Sequence, residues 1–252
     1  MPDKVTRNIR LTVEYDGTDY CGWQVQTRNR SKKSIQGVIE RSLSRVLQEN
    51  VRIIGSGRTD AGVHAAAQVA NFQTSSGIPL KNLQLALNSL LPDDISIHKA
   101  EEASPGFHSR FDARSKIYRY TILNRPYPAA LCRNTVYFYP DHLDVSLMKK
   151  EAVCLLGRHY FRSFRLTGEI EKDSVRTVKS INISSSKGLI TIDIEANGFL
   201  HNMARSIAGT LIEIGRGKFP KGSLKQILLA KNRRLAGPTA PARGLTLLKV
   251  KY

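Results

Sequence analysis

The residues best placed to do chemistry lie in one turn, "GSGRTDAGVHA" at residues 55–65, where Arg58, Thr59 and Asp60 stand between Gly57 and Gly62. Two nucleotide-binding patterns are excluded there. A P-loop needs Gly-Lys-Ser/Thr, and a dinucleotide fingerprint needs a third glycine at the position that Asp60 holds. Two readings of Asp60 stay open. In one, its carboxylate closes an Asx-type turn onto its own backbone and does no chemistry. In the other, Arg58 keeps it ionised, because an opposite charge nearby lowers a carboxyl pKa by about 1–3 units. Such a group is a poor general acid but an available nucleophile or base. The glycines remove Cβ bulk and let a substrate approach closely. Arg58 itself suits a phosphate, or orients Asp60.

The chain that carries this turn is strongly basic. Lys+Arg 39 against Asp+Glu 21 leave a net charge of +18 over 252 residues. That imbalance points to a polyanionic partner, nucleic acid before an anionic membrane surface. A composition of 41% hydrophobic and 24% charged residues is that of an ordinary globular protein, with enough chain for one large domain or two. The opening "MPDKVTRNIR" has no apolar core and does not read as a signal peptide. No run approaches the roughly 18 apolar residues of a membrane span, so the expected compartment is the cytoplasm. Cys21, Cys132 and Cys154 are odd in number and far apart. They form no CxxC or Cys/His cluster, so neither a disulfide framework nor a zinc site is supported.

The elements that must position the turn follow from hydrophobic period. Residues 9–14 alternate, with Ile9, Leu11 and Val13 on one face, and Asp16-Gly17 gives a turn signal. After the basic segment "TRNRSKK", a helix starting at the N-cap Ser34 carries Ile35, Val38, Ile39, Leu43, Val46 and Leu47 at helical spacing. "VRIIG" reads as a short strand into the turn and "VHAAAQVANFQT" as a strand out of it. Residues 80–91 form a helix stopped by Pro92, and "DISIHKAEE" a further strand. The first half is thus β-α-β-β-α-β, a ferredoxin-like order, with Pro105-Gly106 marking a boundary. The second half repeats the theme loosely. Strands "KIYRYTILN" and "VYFY" precede a helix over 146–157, and a hairpin turns at Lys187-Gly188. A helix over 202–215, a shorter one over 223–231 and a last strand, "LTLLKVKY", complete it. The expected fold is α+β, with two ferredoxin-like halves of antiparallel sheet flanked by helices, residues 1–106 and 107–252, forming a basic cleft.

Several blocks, in order, resemble the TruA family of tRNA pseudouridine synthases over nearly the whole chain. They are "EYDGTDYCGWQ", "GSGRTDAGVHA", "FHSRFDARSKIYRYTI" with Tyr118, "GFLHNMARSIAGTL" with Arg205, and "GPTAPARGLTL" with Leu245. The chain departs from the family's usual His-Asp-Phe at His159-Tyr160-Phe161, and "TRNRSKK" is somewhat longer than the common connector. The resemblance implies an intramolecular transferase that converts uridines 38, 39 and 40 of the tRNA anticodon stem-loop to pseudouridine. It acts as a homodimer, with no metal or cofactor.

By the same resemblance, Asp60 is the catalytic carboxylate and Arg205 pairs with it. The hydroxyl of Tyr118 sits near the reaction centre, its ring being suited to stack on the extruded base, and Leu245 packs against that base. Whether Asp60 attacks the sugar C1′, adds to the base or removes the 2′ proton stays open. A uridine must leave its stack to react. Basic residues such as Arg28, Arg30, Lys32, Lys33, Arg110, Arg114 and Arg243 are candidates for phosphate contacts. The competing reading is a non-catalytic RNA-binding module or RNA chaperone. Against it stands Asp60, a carboxylate that a pure binder has no reason to place at the closest approach to phosphate. A glycosidase or nuclease is weaker, because paired carboxylates and a metal set are missing near the motif.

Overall fold

The computed structural model describes residues 6–26, 33–166 and 174–252, and its fold is α+β. Of the basic segment at residues 27–33, only Lys33 falls among the described residues, and it is exposed. The elements run in chain order as β1 (Arg7–Tyr15), α1 (Ile35–Leu47), β2 (Ile54–Gly55), β3 (His64–Thr74), α2 (Leu80–Leu90) and β4 (Ile95–Ala103). Then come β5 (Ser115–Leu123), β6 (Tyr137–Phe138), α3 (Val145–Ala152), β7 (Gly157–Tyr160), β8 (Val175–Ser186) and β9 (Leu189–Ala196). The chain closes with α4 (Met203–Gly215), α5 (Ser223–Ala230) and β10 (Leu245–Lys251). Among the described residues no helix is long and apolar enough to cross a membrane.

Two compact units result, Met1–Arg114 with Leu247–Tyr252, and Ser115–Thr246. The expected division at 106/107 thus differs from the observed one, which falls later, and the last residues return to the first unit. Hydrogen bonds explain this. Asn8 and Asn71 both donate their side-chain amides to Phe107 O, at 2.8 and 3.2 Å. The Tyr252 hydroxyl donates to Ser109 O at 2.8 Å, and Arg114 N donates to Lys251 O at 2.8 Å. Residues 107–114 are therefore stitched to the first unit although Pro105-Gly106 punctuates the chain before them.

In the first unit β1 pairs antiparallel with both β3 and β4, and β2 and β10 lie along β3. The alternation expected for β1 holds, since Ile9, Leu11 and Val13 are fully buried. Helix α1 starts where its cap requires, with Ser34 Oγ accepting from Gly37 N at 3.2 Å. The alanine-rich segment after the turn is indeed a strand, β3. "VRIIG" differs from expectation, for only Ile54–Gly55 pair as strand. Side chains of α1 take the other backbone groups. Ile53 N donates to Glu40 Oε1 at 3.0 Å, and Gln36 Nε2 donates to Ile53 O at 3.2 Å.

In the second unit the order β5-β9-β8-β7 is antiparallel throughout, with β6 parallel beside β5. The hairpin β8–β9 turns at Lys187 and Gly188, both at positive φ. "VYFY" shrinks to the two residues of β6. The helix expected over 146–157 ends at Ala152, passes through a 3₁₀ turn at Val153–Leu155, and gives way to the unanticipated β7 at Gly157, whose φ is +94°. Helix α4 is buried on nearly every side, which suits its apolar sequence.

Candidate active site

The two parts of the expected site fall on different units. Arg58 and Asp60 belong to the first, and Tyr118, Arg205 and Leu245 to the second.

On the first unit, the turn between β2 and β3 is held from below by buried polar groups. Ser56 N donates to Val69 O at 2.7 Å and its hydroxyl to Gln68 Oε1 at 2.6 Å. Gln68 Nε2 in turn donates to Gly57 O at 2.9 Å. Thr59 is buried, and its hydroxyl shares a 2.8 Å hydrogen bond with that of Tyr15. The segment after β1 wraps the other side. Trp23 N donates to Thr59 O at 3.1 Å and Gly62 N to Tyr20 O at 3.4 Å, while Val63 N closes the turn on Asp60 O at 3.2 Å. Arg58 is left exposed and Asp60 half-buried between these anchors.

Beside the turn, the buried His64 brings Nδ1 to 3.1 Å from the donating Gly17 amide and 3.0 Å from Asp16 Oδ1. Burial opposes the charge on Asp16, but donation from the Thr18 amide and hydroxyl, with His64 alongside, holds its carboxyl below the usual range. An Asx-type turn of the kind considered for Asp60 is made here by Asp16.

On the second unit, Arg205 sits in the first turn of α4. Its Nε donates to Ala240 O and its Nη1 to Asn202 Oδ1, both at 2.8 Å, and Ala240 N donates back to Arg205 O at 3.1 Å. The "GPTAPARGL" segment lies so close to α4 that a Cβ on Gly209 would meet the Pro238 carbonyl oxygen. Its far end is fixed by the Tyr120 hydroxyl, which donates to Pro241 O at 2.9 Å. Burial pushes that hydroxyl's pKa up, with the charges of Arg205 and Arg243 pulling the other way. Tyr118 is buried with its ring edge-on to Phe199 at 4.8 Å, and Leu245, the first residue of β10, is buried as well. Arg110, Arg114 and Arg243 are exposed.

Sequence reasoning missed the frame around Asp60, namely Tyr15, Gln68 and the Trp23 amide. The signal available was the block "EYDGTDYCGWQ", which reads as strand and turn until the structure shows what it grips.

An α+β fold that anchors an Arg-Thr-Asp turn with Asp60 half-buried, on a chain of net charge +18, is the class of architecture suited to acting on a polyanion. The chain belongs to the tRNA pseudouridine synthase family, whose model matches residues 11–112 and 152–252. It is 48% identical to tRNA pseudouridine synthase A 2 of Clostridium perfringens over 246 residues, which cover 98% of this chain and 100% of the relative. At the same coverage it is 47% identical to tRNA pseudouridine synthase A of Caldicellulosiruptor bescii and 44% identical to that of Acetivibrio thermocellus.

Proposed function

We propose that this protein isomerises uridine to pseudouridine in the anticodon stem-loop of tRNA, at positions 38, 39 and 40, with Asp60 as nucleophile or base. The reaction breaks the bond from C1′ to N1, turns the base and joins C1′ to C5. The C5 proton is lost and N1 gains one, so the product has the mass of the substrate. Arg58, Tyr118, Arg205 and Leu245 bind the substrate nucleotide. The guanidinium groups face phosphate or the charged site, and the apolar side chains face the extruded base. The protein works as a homodimer in the cytoplasm.

The observation that carries this reading is the anchored turn. Thr59 and Gly62 are tied down on either side of Asp60, while Asp60 itself stays within reach of solvent. A carboxylate meant to act needs that combination of fixed position and access.

Asp60→Asn tests it, since the amide keeps the shape and removes the charge. Carbodiimide mapping of tRNA incubated with the variant is expected to show pseudouridine forming at least about 10³-fold more slowly. Conversion at the native rate would remove Asp60 from the chemistry. Retained activity of that kind would favour a role for the chain that its turn does not explain.

A further inference from the structure

We infer that Tyr15 is a positioning residue for the catalytic turn, its hydroxyl fixing Thr59 and, through Thr59, the carboxylate on the next residue. The inference rests on the reading of Asp60 given above. Tyr15 stands at the end of β1, 44 positions before Thr59, and its hydroxyl meets Thr59 Oγ1 at 2.8 Å in a buried environment. Burial alternates across the motif, with Arg58 exposed, Thr59 buried and Asp60 between the two. The one inward side chain therefore sets how both neighbours leave the surface.

A register shift supports the assignment independently. Val13 pairs with Gln68, but Tyr15 pairs with Ala65, so β3 carries an extra residue opposite this stretch of β1. A bulge of this sort re-aims side chains and is over-represented beside active sites. Here it lies beside Gln68, whose side chain accepts from the Ser56 hydroxyl and donates to Gly57 O beneath the same turn. The Tyr15 hydroxyl keeps its proton, because burial raises its pKa. The ring has separate employment in packing against Trp23, with centroids 6.1 Å apart. Packing therefore needs the ring and not the oxygen, which leaves the hydroxyl for the turn.

The test removes single groups. Tyr15→Phe keeps the ring, Thr59→Val keeps the shape, and Thr59→Ser keeps the hydroxyl. Single-turnover formation of pseudouridine is expected to slow about 10- to 100-fold in Tyr15→Phe and in Thr59→Val, with tRNA affinity changed by less than about twofold. Thr59→Ser is expected to retain the native rate. The double variant Tyr15→Phe/Thr59→Val should be no slower than the slower single, because the two groups form one interaction.

A native rate in Tyr15→Phe overturns the inference, as does additive loss in the double variant. So does a loss that merely follows the folded fraction measured by circular dichroism. If Tyr15→Phe does not fold, the threonine variants decide alone, and equal rates for Val and Ser overturn it. Asp60→Asn in the same assay keeps the two questions apart. Full activity there defeats the assignment of Asp60, whereas full activity only in Tyr15→Phe defeats this one.

Discussion

At Gly22 the backbone runs at φ +101°, and a Cβ there would collide with the Thr59 carbonyl oxygen. That oxygen accepts the Trp23 amide, a bond that pins the Arg-Thr-Asp turn. A side chain at this position meets a conformational penalty and a steric one at once, and the atom it displaces belongs to the residue before Asp60. Gly22→Ala is therefore expected to destabilise the protein by about 1–3 kcal/mol, the usual cost of a non-glycine residue in a strained backbone region. It should also slow the chemical step more than it weakens tRNA binding. Gly77 is the natural control, since nothing lies within 4 Å of a Cβ there. Urea denaturation should show Gly77→Ala within about 0.5 kcal/mol of the parent. Equal behaviour of the two variants would mean that the close approach at Gly22 is not held in solution.

Between strands, the same unit is tied by a cross-strand ion pair. Arg10 of β1 stands directly opposite Glu101 of β4, with Nη2 2.7 Å from the carboxylate, and Lys99 Nζ reaches the other oxygen at 2.5 Å. Those bonds, Lys99's foremost and Arg10's next, hold the Glu101 carboxyl below its ordinary range against a smaller effect of burial. A depressed acid stabilises the fold fully above the pKa it has when unfolded, about 4.3. That contribution is lost as pH falls through the lower folded value. Glu101→Gln should thus cost about 0.5–1 kcal/mol at pH 6, and the gap between variant and parent should narrow as pH falls below about 4.3. Urea midpoints at pH 6 and pH 3.5 read this directly. A gap that does not change with pH would show that the pair contributes nothing through its charge.

The elements also show where reading the chain succeeds and where it fails. Strand β1 and helix α1 declare themselves locally, through alternation and through Ser34. The segment before β2 looks like strand, yet its backbone bonds go to Gln36 and Glu40, whose reach across the fold no local pattern reveals. Strand β7 spans only Gly157–Tyr160, too short for a period to register. The Arg-Thr-Asp turn could be found as a motif because its residues are consecutive. Its support could not, because Tyr15 and Gln68 are brought beneath it only by the pairing of β1 with β3.

For the whole molecule, the +18 net charge sets how it meets a nucleic acid. Lysine and arginine that neutralise phosphates release condensed counterions, so affinity falls linearly on a log–log plot against salt. Arg110, Arg243 and Lys33 are exposed and placed for such contacts, whereas the Arg205 guanidinium donates to Ala240 O and Asn202 Oδ1. If about six phosphates are neutralised, tRNA affinity should drop about 10³-fold between 50 and 200 mM salt. The two kinds of group then separate by assay. Filter binding should follow salt steeply, while the single-turnover rate at saturating enzyme should stay nearly level, since contacts that only position the tRNA cancel once it is bound. Reversing an exposed charge, Arg110→Glu for example, should lower affinity and flatten the salt slope. An affinity that does not respond to salt would remove the cationic surface from recognition and leave shape and base contacts to account for binding.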